Sequence, residues 1–171
     1  SSPAVRMGAL VALRRLGDNG CAAFLDDANQ LVRAEAIRAV YEKNLLEMMP
    51  QLMAQLAKPI GSEIPETIAR LLYLRLINAN YRQGDESAAK ALLAFAANKT
   101  FPIDMRLVAL KSLEKWEQPT WIDPVIGYAR KAKRRDKGPD PAPLKADLMA
   151  IIDSGEERLL ATAVKLAQRY G

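Results

Sequence analysis

The groups in this chain of 171 residues that could move a proton, attack a carbon or hold a metal are 20 carboxylates, 25 lysines and arginines, five tyrosines and one thiol, Cys21. There is no histidine. Those counts exclude a Ser-His-Asp triad, a His-ligated metal, a zinc site of the His₂Cys₂ or Cys₄ kind, covalently attached haem and any disulfide framework. Acid–base work by carboxylates needs two of them facing one cleft with separated pKa values. The pairs Asp26-Asp27, Glu63 with Glu66, and Glu156-Glu157 all fall at predicted helix N-termini, where negative charge is favourable without any catalysis. They are expected as caps and dipole partners. Cys21 opens the apolar run Cys-Ala-Ala-Phe-Leu with no histidine to activate it, and is expected as a small buried hydrophobe. Met48, Met49 and Met53 fit irregular core space better than a cofactor. The sequence therefore gives no catalytic residue, no metal ligand set and no cofactor.

Charge is the second candidate for function. The net charge is +5. Six cations, Arg130, Lys131, Lys133, Arg134, Arg135 and Lys137, stand against the single acid Asp136 within 130–137, so this run carries the whole excess. A compact basic patch can neutralise phosphates or dock an acidic protein surface. No aromatic residue lies inside the run, and it leads into a loop at 136–143 with three prolines. A solvated helix end and an exposed Pro-rich connector are expected there, with partner docking as the functional reading and nucleic acid as the alternative. Trp116 and Trp121 bracket Glu117-Gln118-Pro119-Thr120. They are expected to seal a junction between two helices rather than to form a ligand platform.

The elements that must position these groups are helical. Val32, Ala36, Ile37, Val40 and Tyr41 make one apolar helix face, and no stretch alternates as a strand would. Caps and breakers place helices at 3–16, 20–26, 30–43, 45–57, 65–79, 86–97, 102–116, 121–134, 143–152 and 155–169. Pro50 either kinks the fourth of these or marks its true first turn. Leu10, Leu13, Ile37, Val40, Leu72, Leu76, Leu92, Leu110, Leu113, Ile126, Leu160 and Leu166 are the expected core. No apolar stretch approaches the length of a membrane span.

The pattern repeats. Val5/Val32, Arg6/Arg33, Leu10/Ile37 and Leu13/Val40 coincide at an offset of 27 residues, and Arg106, Leu110 and Leu113 fall on the same frame. The stretch Asp27-x-Asn29-x-x-Val32-Arg33-x-x-Ala36-Ile37-x-Ala39-Val40 resembles the second helix of HEAT repeats. That resemblance implies a right-handed α-solenoid of four to five HEAT-like helical hairpins, forming one domain over 1–171. It also implies a polar ladder between repeats, to which Asp27, Arg33, Arg6 and Arg106 would belong.

A narrower resemblance rests on Leu113, Trp116, Pro119, Asp123 and Gly127. It is to the HEAT region of large bacterial multidomain proteins that also carry a sugar-dehydrogenase-like β-propeller and a c-type cytochrome domain. The resemblance implies a fragment of a longer, extracytoplasmic or periplasmic chain. In it, this piece would be a non-enzymatic spacer or scaffold whose partners are other proteins or its own flanking domains.

Overall fold

The computed structural model describes residues 1–170; Gly171 lies outside them. The described residues form eight α-helices and three 3₁₀ turns, with no strand beyond one isolated antiparallel bridge, Ile122 to Ala129. The chain divides into two compact units, Ser1–Ala79 and Asn80–Gly171.

In the first unit, α1 is Pro3–Leu16. Ser2 caps it by accepting the Val5 amide at 3.3 Å, and Pro3 occupies the first turn, where its missing N–H is no loss. Gly17 ends it at φ 71°. The Gly17 amide donates to the Arg14 carbonyl and the Asp18 amide to that of Leu13, the Schellman pattern. A 3₁₀ turn, Asn19–Phe24, stands where 20–26 was expected as a helix. The next helix, α2, is Gln30–Glu42, capped by Asn29. The helix expected at 45–57 is broken into Leu46–Met48, α3 (Met49–Ala54) and Gln55–Ala57, with Pro50 in the first turn of α3. Proline there cannot receive a helix from upstream. Helix α1 packs on α2, and α2 on α3. Leu10, Ile37, Val40, Leu52, Leu56 and Leu76 are all fully buried in this unit. The fourth helix, α4 (Glu66–Gln83), runs through the division between the units.

The second unit contains α5 (Glu86–Ala97), α6 (Ile103–Glu114), α7 (Lys145–Asp153) and α8 (Glu157–Tyr170). The pairs α5–α6, α6–α8, α7–α8 and α5–α7 are in contact. Asp85 caps α5 on the Ala88 amide at 2.9 Å. Phe95 stacks on Phe101 with ring centroids 4.4 Å apart. Of the expected core, Leu13, Ile126 and Leu160 are only half-buried; the others are buried.

The helix expected at 121–134 does not exist. Pro124 lacks an amide hydrogen and holds Asp123 out of helical geometry, and Gly127 adopts φ 74°. Asp123 instead accepts the Val125 amide at 2.9 Å, while its own amide donates to the Tyr128 carbonyl at 2.9 Å. The result is a tight, non-helical turn. The loop at 136–143 has no regular structure and is mostly exposed, except that Pro139 is buried.

Four arginines are buried, and none pairs with a carboxylate among the described residues. Arg33 donates to the Gln55 and Gln30 side chains and to the Lys58 and Pro59 carbonyls. Arg82 donates to the Thr120 and Arg130 carbonyls. Arg106 reaches the Ala96 carbonyl at 2.7 Å, and Arg135 that of Tyr81 at 2.6 Å. Each fastens a helix end or a loop through acceptors that the backbone leaves open.

Gly84 follows α4 at φ 68°, and a Cβ there would lie 2.5 Å from Arg135 Nη1. Gly155 has φ 64° but open space around it. We expect Gly155→Ala to show only the left-handed penalty, about 1 kcal/mol. Gly84→Ala should lose at least twice as much, because it also displaces the Arg135 side chain. Chemical unfolding of the two variants checks the ranking.

Candidate functional site

The residues proposed for a repeat ladder are positioned by the helix starts. Arg6 on α1 meets Asp27 in a bidentate pair, Nε to Oδ2 at 2.6 Å and Nη2 to Oδ1 at 2.8 Å. Asp27 also accepts the Asn29 amide at 2.8 Å. Arg33, on the same frame 27 residues later, does not pair with Asp27. It reaches forward to Gln55 Oε1 at 3.2 Å and to two loop carbonyls. Gln55 in turn donates to Asp26 at 2.9 Å, and Lys58 binds the same carboxylate at 2.5 Å. Arg6 and Arg33 thus each bridge to a polar group 21 or 22 residues ahead. Arg106 departs from this pattern and turns back to the end of α5. The hydrogen bond from Arg6 holds the Asp27 carboxyl below its ordinary pKa. Those from Lys58 and Gln55 do the same for Asp26. Burial lowers the pKa of Arg33, Arg106 and Arg135, groups that stay protonated at neutral pH nonetheless.

The neighbouring acids Asp26 and Asp27 point to different partners. No group of three or more His, Cys, Asp or Glu residues that could hold a metal occurs among the described residues. Cys21 is fully buried, and burial raises its thiol pKa, the reverse of an activated nucleophile. No helix among the described residues is long and apolar enough to cross a membrane.

The basic run is not one patch. Arg135 is 9% exposed. Its guanidinium carbon lies 4.2 Å from the Trp116 ring centre and 4.8 Å from that of Tyr81, an arrangement in which ring quadrupoles replace lost hydration. Arg130 is half-buried and pairs with the fully buried Asp123 at 3.3 Å. Lys131, Lys133, Arg134 and Lys137 remain exposed. The two tryptophans also part company. Trp116 is buried at 2%, just past the end of α6, but the second helix of the expected junction is absent. Trp121 is 69% exposed and seals nothing. The turn at 121–130 closes with the Arg130 amide donating to the Trp121 carbonyl at 2.9 Å, which returns the chain to Trp121 just as the basic run begins. Trp121, Lys131, Arg134, Gln118, Pro119 and Thr120 consequently share the wall of one open cavity of about 380 Å³. Sequence reasoning missed this because it placed a helix there. The prolines at 119 and 124 were the available signal.

A second cavity, of about 490 Å³, lies in the first unit. Its apolar wall is Met7, Leu31, Ala34, Ile68, Leu71 and Leu72, with Glu35, Arg38 and Arg75 at the rim. Leu31, Ile68 and Leu71 are each more than 40% exposed. The rim charges are paired, mostly with residues just outside the rim. Arg75 and Arg38 both bind Glu42, and Arg14 binds Glu35 at 2.8 Å.

Comparison of the chain with protein-family models, with curated proteins and with solved structures finds no match.

The Asp27 pair sets a pH dependence. Its native pKa lies below the ordinary value near 3.8, so its stabilisation is present above about pH 4 and is lost as the pH falls through the native value. Asp27→Asn should therefore lower the melting temperature at pH 7. The difference from the unsubstituted protein should shrink steadily as the pH falls below about 4. Thermal unfolding at several pH values reads this directly.

Proposed function

We propose that the chain is a non-enzymatic helical-repeat scaffold of HEAT-like hairpins that binds protein partners or flanking domains of the same chain. The observation that carries the reading is the pair of forward bridges from Arg6 and Arg33. Two arginines at equivalent helix positions, each fastening the next polar loop, are what a stacked repeat requires. No single hairpin of that kind can bury its own apolar face. The narrower resemblance, to the spacer between a dehydrogenase-like propeller and a cytochrome domain of a bacterial protein, gives one such setting, and with it an extracytoplasmic location.

The groove on the first unit is the surface best suited to a protein partner. Leu31, Ile68 and Leu71 offer exposed apolar area, and the rim ion pairs can re-form with a partner's charges at little loss. A photo-crosslinking residue placed at Leu31 in the native cell should give a discrete protein adduct. The adduct should disappear when Leu71→Asp is added, and it should be absent when the crosslinker sits at the exposed Gln51. Equal labelling from both positions would contradict the reading.

A further inference from the structure

The cavity beside Trp121 has a chemistry that the scaffold reading does not use. We propose that it binds single-stranded nucleic acid, with one base stacked on Trp121 and the neighbouring phosphates on Lys131 and Arg134.

The chain itself builds the juxtaposition. Arg82 donates to the Thr120 and Arg130 carbonyls at both ends of the turn, so the segments leading into and out of 121–130 are held together. Arg135, gripped by Tyr81 and Trp116, anchors the run from behind. With Arg130 and Arg135 turned inward, Lys131, Lys133, Arg134 and Lys137 face solvent, opposed within the run by Asp136 alone. The Arg134–Asp136 contact is 3.6 Å long with both side chains at least 90% exposed, a pair that water and salt screen easily. The one carboxylate in the cavity wall, Glu117, is bound by Arg169 at 2.8 Å and does not repel an anion as a free acid would. A second aromatic, Tyr128, is 73% exposed on the same turn.

Exposed aromatic faces next to a line of solvent-facing cations are how proteins hold single strands without reading sequence. The cavity, at about 380 Å³, falls within the range of small-ligand sites. Duplex DNA is disfavoured because its bases are already stacked, and because 121–134 presents no helix to a groove. An acidic peptide would satisfy the cations but leave the indole without a role.

The test uses the whole chain and fluorescein-labelled oligo-dT and oligo-U of about 15 nucleotides, with binding read by anisotropy at ~50 mM salt and above. Both oligonucleotides should bind, a matched duplex and a poly-glutamate peptide of equal charge should compete poorly, and preference between dT and U decides DNA against RNA. Trp121→Ala should weaken binding about tenfold, and Trp121→Phe should restore most of it. Lys131→Gln with Arg134→Gln should flatten the dependence of log affinity on log salt. Each variant's melting temperature should match that of the parent, since all three side chains are exposed. Independently of any variant, bromouridine photo-crosslinking of the unsubstituted chain should place the adduct on Trp121 or Tyr128. The proposal is overturned by absence of binding at ~50 mM salt, by unchanged affinity in Trp121→Ala, by equal competition from poly-glutamate, or by adducts elsewhere. The groove crosslinking experiment at Leu31 is untouched by any of these outcomes.

Discussion

Buried guanidinium groups clamped to backbone carbonyls are the interaction on which the rest of this structure depends. A helix leaves its last carbonyls without partners, and short connections between helices add more. Arg33, Arg82, Arg106 and Arg135 meet that demand from the interior, each reaching a carbonyl at least 10 residues away in sequence. Arginine suits the task because it carries five donors in a planar fork and is weakly hydrated for a cation. Lysine would concentrate the same charge on one heavily hydrated atom. The charge is not cancelled by acids, and part of the donor capacity is unused: Arg82 Nε and Arg135 Nε and Nη2 are buried without an acceptor. Aromatic rings compensate Arg135, and burial still lowers its pKa.

These clamps explain how a chain whose charge excess sits in eight residues avoids presenting it as one patch. Two of the six cations in 130–137 turn inward, Arg135 to the Tyr81 carbonyl and Arg130 to Asp123. The inward pair organises the turn, and the outward four give it a field. Asp123 is the counterpart on the acidic side: fully buried, it caps the turn, receives Arg130 and accepts the Gly127 amide through its carbonyl at 2.8 Å. The motif residues Trp116, Asp123 and Gly127 thus have plain structural jobs, which separates them from Trp121, whose side chain has none.

Helix content and most helix limits were legible in the residues. Ser2-Pro3 and Gly17 mark α1 at both ends, Asn29 and Asp85 cap α2 and α5, and the 3.6-residue stripes put Leu10, Ile37, Val40, Leu92 and Leu110 in the core. Local chemistry decides such features, so local sequence reveals them. The 121–134 segment failed for an equally physical reason. Its apolar spacing imitates a helix, but Pro124 and Gly127 forbid one. The candidate site was the least legible part. That Arg6 rather than Arg33 binds Asp27, or that Trp121 meets Lys131 and Arg134, depends on which helices pack together and where a turn closes. Residue types alone do not carry that information. The acceptors of Arg33 and Arg106 are mostly carbonyls, which every residue possesses and no composition betrays.

The claim that guanidinium clamps, rather than positive charge as such, hold the helix ends is tested most directly by urea unfolding of three charge-conserving variants: Arg33→Lys, Arg82→Lys and Arg38→Lys. Arg38 is half-exposed and binds only acids on its own helix. The account predicts that Arg33→Lys and Arg82→Lys each lose about 1–3 kcal/mol through carbonyls and amides left without donors, while Arg38→Lys stays within roughly 0.5 kcal/mol. Equal, small losses in all three would show that lysine serves as well, and would contradict it.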